Sequence, residues 1–354
     1  MRRWVVRFCN RSGVHYDTLL TESGEMPDRV VYFNGEFVPE REARVSILDS
    51  ALQFGDMAYE STRTFGARPF HLRDHLERLF ATLSAIEVDC RLSLDELERI
   101  TLETLARNAP TESGDMEWQI VHNVSRGPSA AYRAAFAGSN RPTVLIYCWP
   151  LVATLGSLAP IYETGVELVI PAQRHIPAEI LNPHAKTRSR AHSHLAMLQA
   201  ARIRPGSWPV LVDPDGFLTE GPTWNIFLVR DGVLLTPTSK NILKGVSRRI
   251  TLQIASELEI DAREADLRRD DALAADEIFC TATSFCLVHA ATFEGRIVGK
   301  GRPGPVFQRL AEGWKKAVGL DFVQQAQRFA EQLPEWERRE RESLSRQSNG
   351  KGQS

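Results

Sequence analysis

The sequence predicts a two-domain α/β protein, and three observations predict it. The chain has 354 residues, enough for roughly two domains of ordinary size. Strand-like apolar runs alternate with helix-like segments in both halves. Between the halves, residues 151–164 carry turn residues and little periodicity, as a linker would. These boundaries give an N-terminal extension (1–29), a small α/β domain (30–150), the linker (151–164), a larger β-rich α/β domain (165–320) and a charged tail (321–354).

Each element has a local reason. Residues 1–29 are polar, show no sustained period and end in Ser23-Gly24-Glu25-Met26-Pro27, so regular structure is expected to begin at Val30. Asn34-Gly35 between Val30–Phe33 and Glu36–Val38 is a strong hairpin signal. Tyr59 to Phe65 reads as a strand. Leu72, Leu76, Leu79, Leu83 and Ile86 recur at helical steps over 72–88. A second helix opens on Ser93 and Glu96, placed as a capping box. Trp118–Val124 and Thr143–Trp149 resemble strands.

In the second half, Val166–Ile170, Val210–Val212, Ile226–Val229, Val233–Leu235, Glu277–Thr281 and Cys286–His289 read as strands. Asp215-Gly216, Asp231-Gly232 and Glu294-Gly295 supply the turns. Ala191–Ile203, Val246–Leu258 and Val306–Val318 read as helices. Beyond about Leu333 the chain is highly charged and is expected to be a frayed helix running into disorder.

Composition is that of a globular protein, with 43% hydrophobic and 25% charged residues and a formal net charge of −2. Such a balance offers no basic field to gather nucleic acid. No apolar run approaches the roughly 20 residues of a membrane helix. Arg7 and Asn10 interrupt the N-terminus too early for a secretory core. The five cysteines form no CxxC pair and read as reduced thiols. A cytoplasmic location is the resulting expectation.

The sharpest chemical signal is a lysine and a carboxylate about thirty residues apart. Lys186 lies in His184-Ala185-Lys186-Thr187-Arg188-Ser189-Arg190. A lone lysine is most often solvated, but Arg188 and Arg190 would depress its pKa if they face inward, and only a neutral amine attacks a carbonyl. Glu220 follows the turn Asp213-Pro214-Asp215-Gly216, where it is either an exposed strand end or a carboxylate that keeps a ring nitrogen protonated. An imine-forming lysine and such a carboxylate are the two groups a pyridoxal phosphate enzyme most needs. Phosphate donors are available at Gly245-Val246-Ser247-Arg248, where a helix opens. Thr283 and Ser284 offer hydroxyls in a turn, and Arg78 offers a charged donor. Taken singly, a glycine before a helix is usually only a boundary and a Thr-Ser turn usually only a turn. His192 and His194 stand roughly 200° apart on a helix, so no metal site is expected.

These pieces occur in a familiar order. The chain resembles the class IV aminotransferases, the fold type IV pyridoxal phosphate enzymes, from about Val30 to about Leu310. The resemblance rests on Asn34-Gly35, Ser46-Ile47-Leu48-Asp49, Phe54-Gly55-Asp56, Tyr59-Glu60-Ser61-Thr62-Arg63 and His75-Leu76-Glu77-Arg78-Leu79. It continues through Lys186, Leu218 to Phe227, Leu243 to Arg248, Ala275 to Phe279 and Pro303-Gly304-Pro305. By this resemblance Lys186 is the Schiff-base lysine and proton carrier, and Glu220 holds the ring nitrogen. Arg78, Val246, Ser247, Thr283 and Ser284 would cradle the phosphate. Phe54 and Tyr59 would line the substrate pocket, with Arg126 and Arg133 as candidate grips for the substrate.

The resemblance implies a transaminase acting on an amino acid and a 2-oxo acid, and a homodimer. It extends equally to D-amino acid aminotransferases and to lyases that release pyruvate from an aminodeoxychorismate-like substrate. A non-catalytic descendant is a further reading, which retention of both Lys186 and Glu220 opposes. Two departures bear on subfamily. Many branched-chain enzymes carry a tyrosine five residues after the lysine, where this chain has Ala191. After Arg126-Gly127, alanine occupies the position where D-amino acid enzymes carry arginine, and Arg133 lies near that of their histidine.

Overall fold

A computed structural model describes residues 28–112, 116–129, 131 and 141–350, together with the strand backbones 4–9 and 15–20. Sixteen strands appear among them. The first eight are β1 (Trp4–Cys9), β2 (His15–Leu20), β3 (Val30–Phe33), β4 (Glu36–Pro39), β5 (Met57–Phe65), β6 (Arg68–Pro69), β7 (Trp118–Ser125) and β8 (Thr143–Pro150). The second eight are β9 (Val166–Val169), β10 (Trp208–Pro209), β11 (Asn225–Arg230), β12 (Val233–Pro237), β13 (Ala262–Ala265), β14 (Glu277–Ala282), β15 (Cys286–Phe293) and β16 (Arg296–Ile297). The α-helices are α1 (Ser50–Phe54), α2 (Leu72–Ala85), α3 (Leu94–Asn108), α4 (Leu151–Leu158), α5 (Ile161–Thr164), α6 (Ala191–Ile203), α7 (Val246–Glu257), α8 (Arg269–Leu273), α9 (Pro305–Val318) and α10 (Phe322–Gly350).

The first sheet is antiparallel, in the order β4-β3-β8-β7-β5-β6. Its opening hairpin turns through Asn34 (φ 52°) and Gly35 (φ 106°), the left-handed pair that Asn-Gly supplies most cheaply. Helices α2 and α3 cover one face. Leu76, Leu79 and Leu97 are fully buried against Trp118, Ile120 and Ile146. Ser93 and Glu96 form the expected capping box at the start of α3.

The second sheet is mixed, in the order β10-β9-β15-β14-β11-β12-β13, with β16 paired to β15. It is covered on both faces, and the strand period of two sorts its side chains. Ile226 and Leu228 join a core that includes α4 and α10, whereas Phe227 and Val229 join the core beneath α7 and α9. This two-sided burial explains the unbroken apolar run 226–229.

Four regions differ from the sequence expectation. Residues of the extension pair as strands β1 and β2, in antiparallel register from Trp4 opposite Leu20 to Cys9 opposite His15. The segment 151–164, read as a linker of little regular structure, forms α4 and α5. Leu151, Val152 and Leu155 of α4 are fully buried, and a helix buried on most sides shows no amphipathic period to read. The charged tail forms helix α10 instead of fraying near Leu333. Phe322, Ala326, Phe329 and Trp336 are buried along one stripe, and the backbone carbonyl of Phe329 lies so close to Gly156 that a Cβ there would sit 2.7 Å from it. Residues 351–354 lie outside the described residues. Finally, Val210–Val212 make isolated pairings instead of a strand. Leu211 N–H donates to Glu220 O and Asp213 N–H to Phe217 O, which turns the chain back on itself.

The two sheets meet at Lys186. Tyr59 N–H on β5 donates to Lys186 O (2.9 Å), and Arg188 N–H donates to Met57 O (2.8 Å). A loop from the second half is thereby stitched to the edge of a strand from the first.

Candidate active site

This stitch lies on the wall of a cleft of about 890 Å³, open mouth included. Lys186, Glu220, Tyr59, Arg78, Val246, Ser247 and Thr283 all lie on its wall. The Lys186 backbone is fixed on both sides, its N–H donating to Thr82 Oγ1 (3.1 Å) and its carbonyl accepting from Tyr59. Lys186 Nζ stands 4.7 Å from the centre of the Tyr59 ring.

Arg188 and Arg190 join Lys186 around the same ring, at 3.9 and 5.6 Å from its centre. Arg190 Nη1 donates to the Tyr59 hydroxyl, and Arg188 Nε donates to Asn123 Oδ1. Burial alone would raise the Tyr59 phenol, but Lys186, Arg190 and Arg188 outweigh it and hold its pKa below the ordinary value. Of the two arginines, Arg190 faces the cleft with Lys186, whereas Arg188 is exposed and absent from the cleft wall.

Glu220 is an oriented carboxylate. Oε2 accepts from Asn225 Nδ2 (2.9 Å), Oε1 accepts from Leu243 N–H (3.1 Å), and His175 Nε2 stands 3.7 Å from Oε1. Asn225 is the keystone of this arrangement, since the same amide also donates to Leu243 O (3.2 Å). Its Oδ1 lies where any side chain at position 245 would be, 2.1 Å from a Cβ built on Gly245. Gly245 is thus required by close approach. No side chain caps helix α7, so the amides at Val246 and Ser247 remain available to an anion.

Arg78 is more occupied than the sequence suggests. Nε and Nη2 donate to Glu60 (2.8 and 2.7 Å), and Nη1 donates to Lys244 O (3.1 Å). Glu60 is fully buried and also meets His75 Nδ1 at 3.1 Å. Sequence reasoning does not single out Glu60, His75 or Asn225. The signal that could find them is a polar residue inside a strand or helix otherwise destined for burial.

Three expected site residues stand elsewhere. Phe54 is 69% exposed at the end of α1 and does not line the cleft. Arg126 is committed to Asp56 (2.9 and 3.3 Å) and to the carbonyls of Ile86 and Glu87, so it ties the end of α2 to the turn before β5. Ser284 is absent from the cleft wall, and its carbonyl accepts from the buried Arg63 (2.7 Å). Arg133 lies outside the described residues.

The remaining donor set fits a phosphorylated pyridine aldehyde. It offers an amine, a carboxylate held for a ring N–H, and a helix N-terminus with Thr283 nearby for a dianion.

Comparison with known proteins gives the same reading. The family model described as amino-transferase class IV matches residues 57–292. A putative branched-chain-amino-acid aminotransferase of Methanocaldococcus jannaschii is 32% identical over 286 residues, covering 80% of this chain and 95% of that protein. The crystal structure of the Escherichia coli branched-chain amino acid aminotransferase superposes with a TM-score of 0.73 at 27% identity, over 82% of this chain and 94% of that one. A T.th. branched-chain amino acid aminotransferase, complexed with N-(5'-phosphopyridoxyl)-L-glutamate, gives a TM-score of 0.73 at 26% identity, over 83% and 96% of the two chains. The matched stretch contains every residue placed on the cleft wall, and the chain belongs to the class IV aminotransferases, transaminases that use pyridoxal phosphate.

Proposed function

We propose that this enzyme moves the amino group of a branched-chain or similar apolar amino acid to a 2-oxo acid, with Lys186 as the catalytic lysine. The observation that carries the site assignment is the convergence of Lys186, Glu220 and the uncapped start of α7 on one cleft. When bound, pyridoxal phosphate supplies the aldehyde that condenses with amines and the ring that accepts carbanion electrons. Lys186 supplies the amine that anchors it and, once released, moves the proton at the substrate α-carbon as general base and then acid. Glu220, fixed by Asn225 and Leu243, keeps a ring nitrogen protonated. Val246, Ser247 and Thr283 hold the phosphate, joined by Arg78 through the Nη1 hydrogen that Lys244 O leaves unused. Ile176 and Leu181 give the wall an apolar stretch for a branched side chain.

The relatives' names support branched-chain substrates and a transaminase over a lyase. The decisive measurement is a half-reaction. Leucine, isoleucine or valine added alone is expected to convert the cofactor to its aminated form, with release of the 2-oxo acid and no pyruvate. Pyruvate release from an aminodeoxychorismate-like substrate, with the cofactor unchanged, would replace this reading with the lyase.

We further propose a homodimer. Ile47, Leu52 and Phe54 are 76, 66 and 69% exposed on one segment, a density of bare apolar side chains that marks an interface. Ile47→Asp with Phe54→Asp is expected to convert a dimer to a monomer in sedimentation; an unchanged sedimentation coefficient sinks this assignment. Cys90, Cys148, Cys280 and Cys286 are all unpaired and buried, which supports a reducing, cytoplasmic location.

A further inference from the structure

The amino acid and 2-oxo acid substrates proposed above carry an α-carboxylate, and a cation not already neutralised is the strongest donor the cleft could offer that charge. Three cations line it: Arg78, Lys186 and Arg190. Arg78 is paired with Glu60. Lys186 is the amine the chemistry requires. Among the described residues, no carboxylate lies within 4.0 Å of Arg190. Arg126, the expected grip, is held by Asp56 outside the cleft.

We infer that Arg190, with the Tyr59 hydroxyl beside it, grips the α-carboxylate of the amino acid and 2-oxo acid substrates. The inference rests on the function proposed above and names the substrate contact of that site.

The placement suits the task. Arg190 is half-buried at the N-cap of α6, and its backbone is fixed by His194 N–H donating to its carbonyl (3.1 Å) and by its own N–H donating to Arg188 O (2.7 Å). One guanidinium N–H goes to Tyr59, which leaves donors for a carboxylate, the fork geometry that arginine offers best. Tyr59 accepts that bond and keeps its own proton to donate to the same anion. Lys186 Nζ and the Arg190 guanidinium stand 4.7 and 5.6 Å from the centre of one ring. In an α-amino acid the reacting carbon and the carboxylate are joined by a single bond, so the two groups that serve them must be neighbours. The uncapped N-terminus of α6, with Ser193 also on the wall, adds favourable potential for an anion.

The test compares two substrates that differ only in the carboxylate. Cofactor uptake by Arg190→Gln, Arg190→Lys and wild type is measured first by absorbance and is expected to agree within about threefold. Single-turnover amination is then followed with leucine and with leucinamide. Arg190→Gln is expected to weaken leucine by about 10- to 100-fold and to leave leucinamide within about twofold. Arg190→Lys should recover part of the leucine affinity. Equal weakening of leucine and leucinamide would show a merely structural role and overturn the inference. So would wild-type leucine affinity in Arg190→Gln, or a selective loss in Arg188→Gln instead. Calorimetric titration of the same variants with 3-methylbutanoate reads the carboxylate site without turnover. If wild type takes up no cofactor, the proposed function fails, while this titration still decides whether Arg190 binds the anion.

Discussion

Lys186→Ala is expected to abolish the visible absorbance of the lysine-bound cofactor and to lower turnover by about 10⁴-fold or more, since one side chain loses both covalent anchoring and proton transfer. Among the described residues, no other lysine lines the cleft to replace it. The loss should be chemical and not structural. The Lys186 backbone keeps its bonds to Thr82 and Tyr59 whatever the side chain, and that side chain is only partly buried. Thermal stability without cofactor should therefore stay within about 1 kcal/mol of wild type. The α7 N-terminus and Glu220 are untouched, so the variant should still bind cofactor reversibly. Absorbance, equilibrium dialysis and single-turnover assays of one preparation separate these quantities. A variant that keeps the visible band or turns over normally removes Lys186 from the mechanism.

This lysine is legible in the sequence because the signals around it are local. A hairpin dipeptide, a capping box and a glycine before a helix each act within a few residues. Asn34-Gly35, Ser93/Glu96 and Gly245 accordingly do in the structure what their chemistry suggests. The unbroken apolar runs of β11 and β14 are legible as strands for the same reason.

What stays hidden depends on partners far away in the chain. Arg126 reads as a free cation until Asp56, seventy residues earlier, is folded against it. Glu60 sits in a strand whose period states only which face it occupies, not that Arg78 and His75 wait there. Helix α4 is invisible because it is apolar on nearly every side. Helix α10 is obscured because its buried stripe, Phe322, Ala326, Phe329 and Trp336, is diluted by charges on the other faces. Read at intervals of three, four and seven, those four residues do carry the helical signal.

Glu60 gives the second large effect. Its side chain is fully buried, and it neutralises an Arg78 side chain that is 12% exposed. Removing one member of such a pair leaves a charge with neither water nor counter-charge, so Glu60→Leu is expected to cost about 3–5 kcal/mol and to lower the apo-protein Tm on the order of 10 °C. The companion Glu60→Leu/Arg78→Met is expected to recover most of that stability, because an apolar pair replaces an ionic one without an orphaned charge. It should not recover cofactor affinity, since Arg78 also offers donors to the cleft. The pH dependence gives an independent check. Burial would raise the Glu60 carboxyl, but Arg78 and His75 outweigh it and hold it well below the usual range. Its stabilisation is thus present above the unfolded carboxyl value of about 4.3 and is lost only as pH falls toward the depressed value. Burial also holds His75 below its ordinary value against the pull of Glu60. Folded His75 therefore takes its proton at lower pH than unfolded His75, which takes one below about pH 6.5, so it too erodes stability as pH falls. Without Glu60, the His75 pKa falls further and its window widens toward acid. Urea unfolding at intervals from pH 7 to pH 4 should therefore show a steeper loss in Glu60→Leu than in wild type between about pH 6.5 and 5. A single variant within about 1 kcal/mol of wild type at pH 7, or a double variant no more stable than the single, would show that Glu60 does not compensate Arg78.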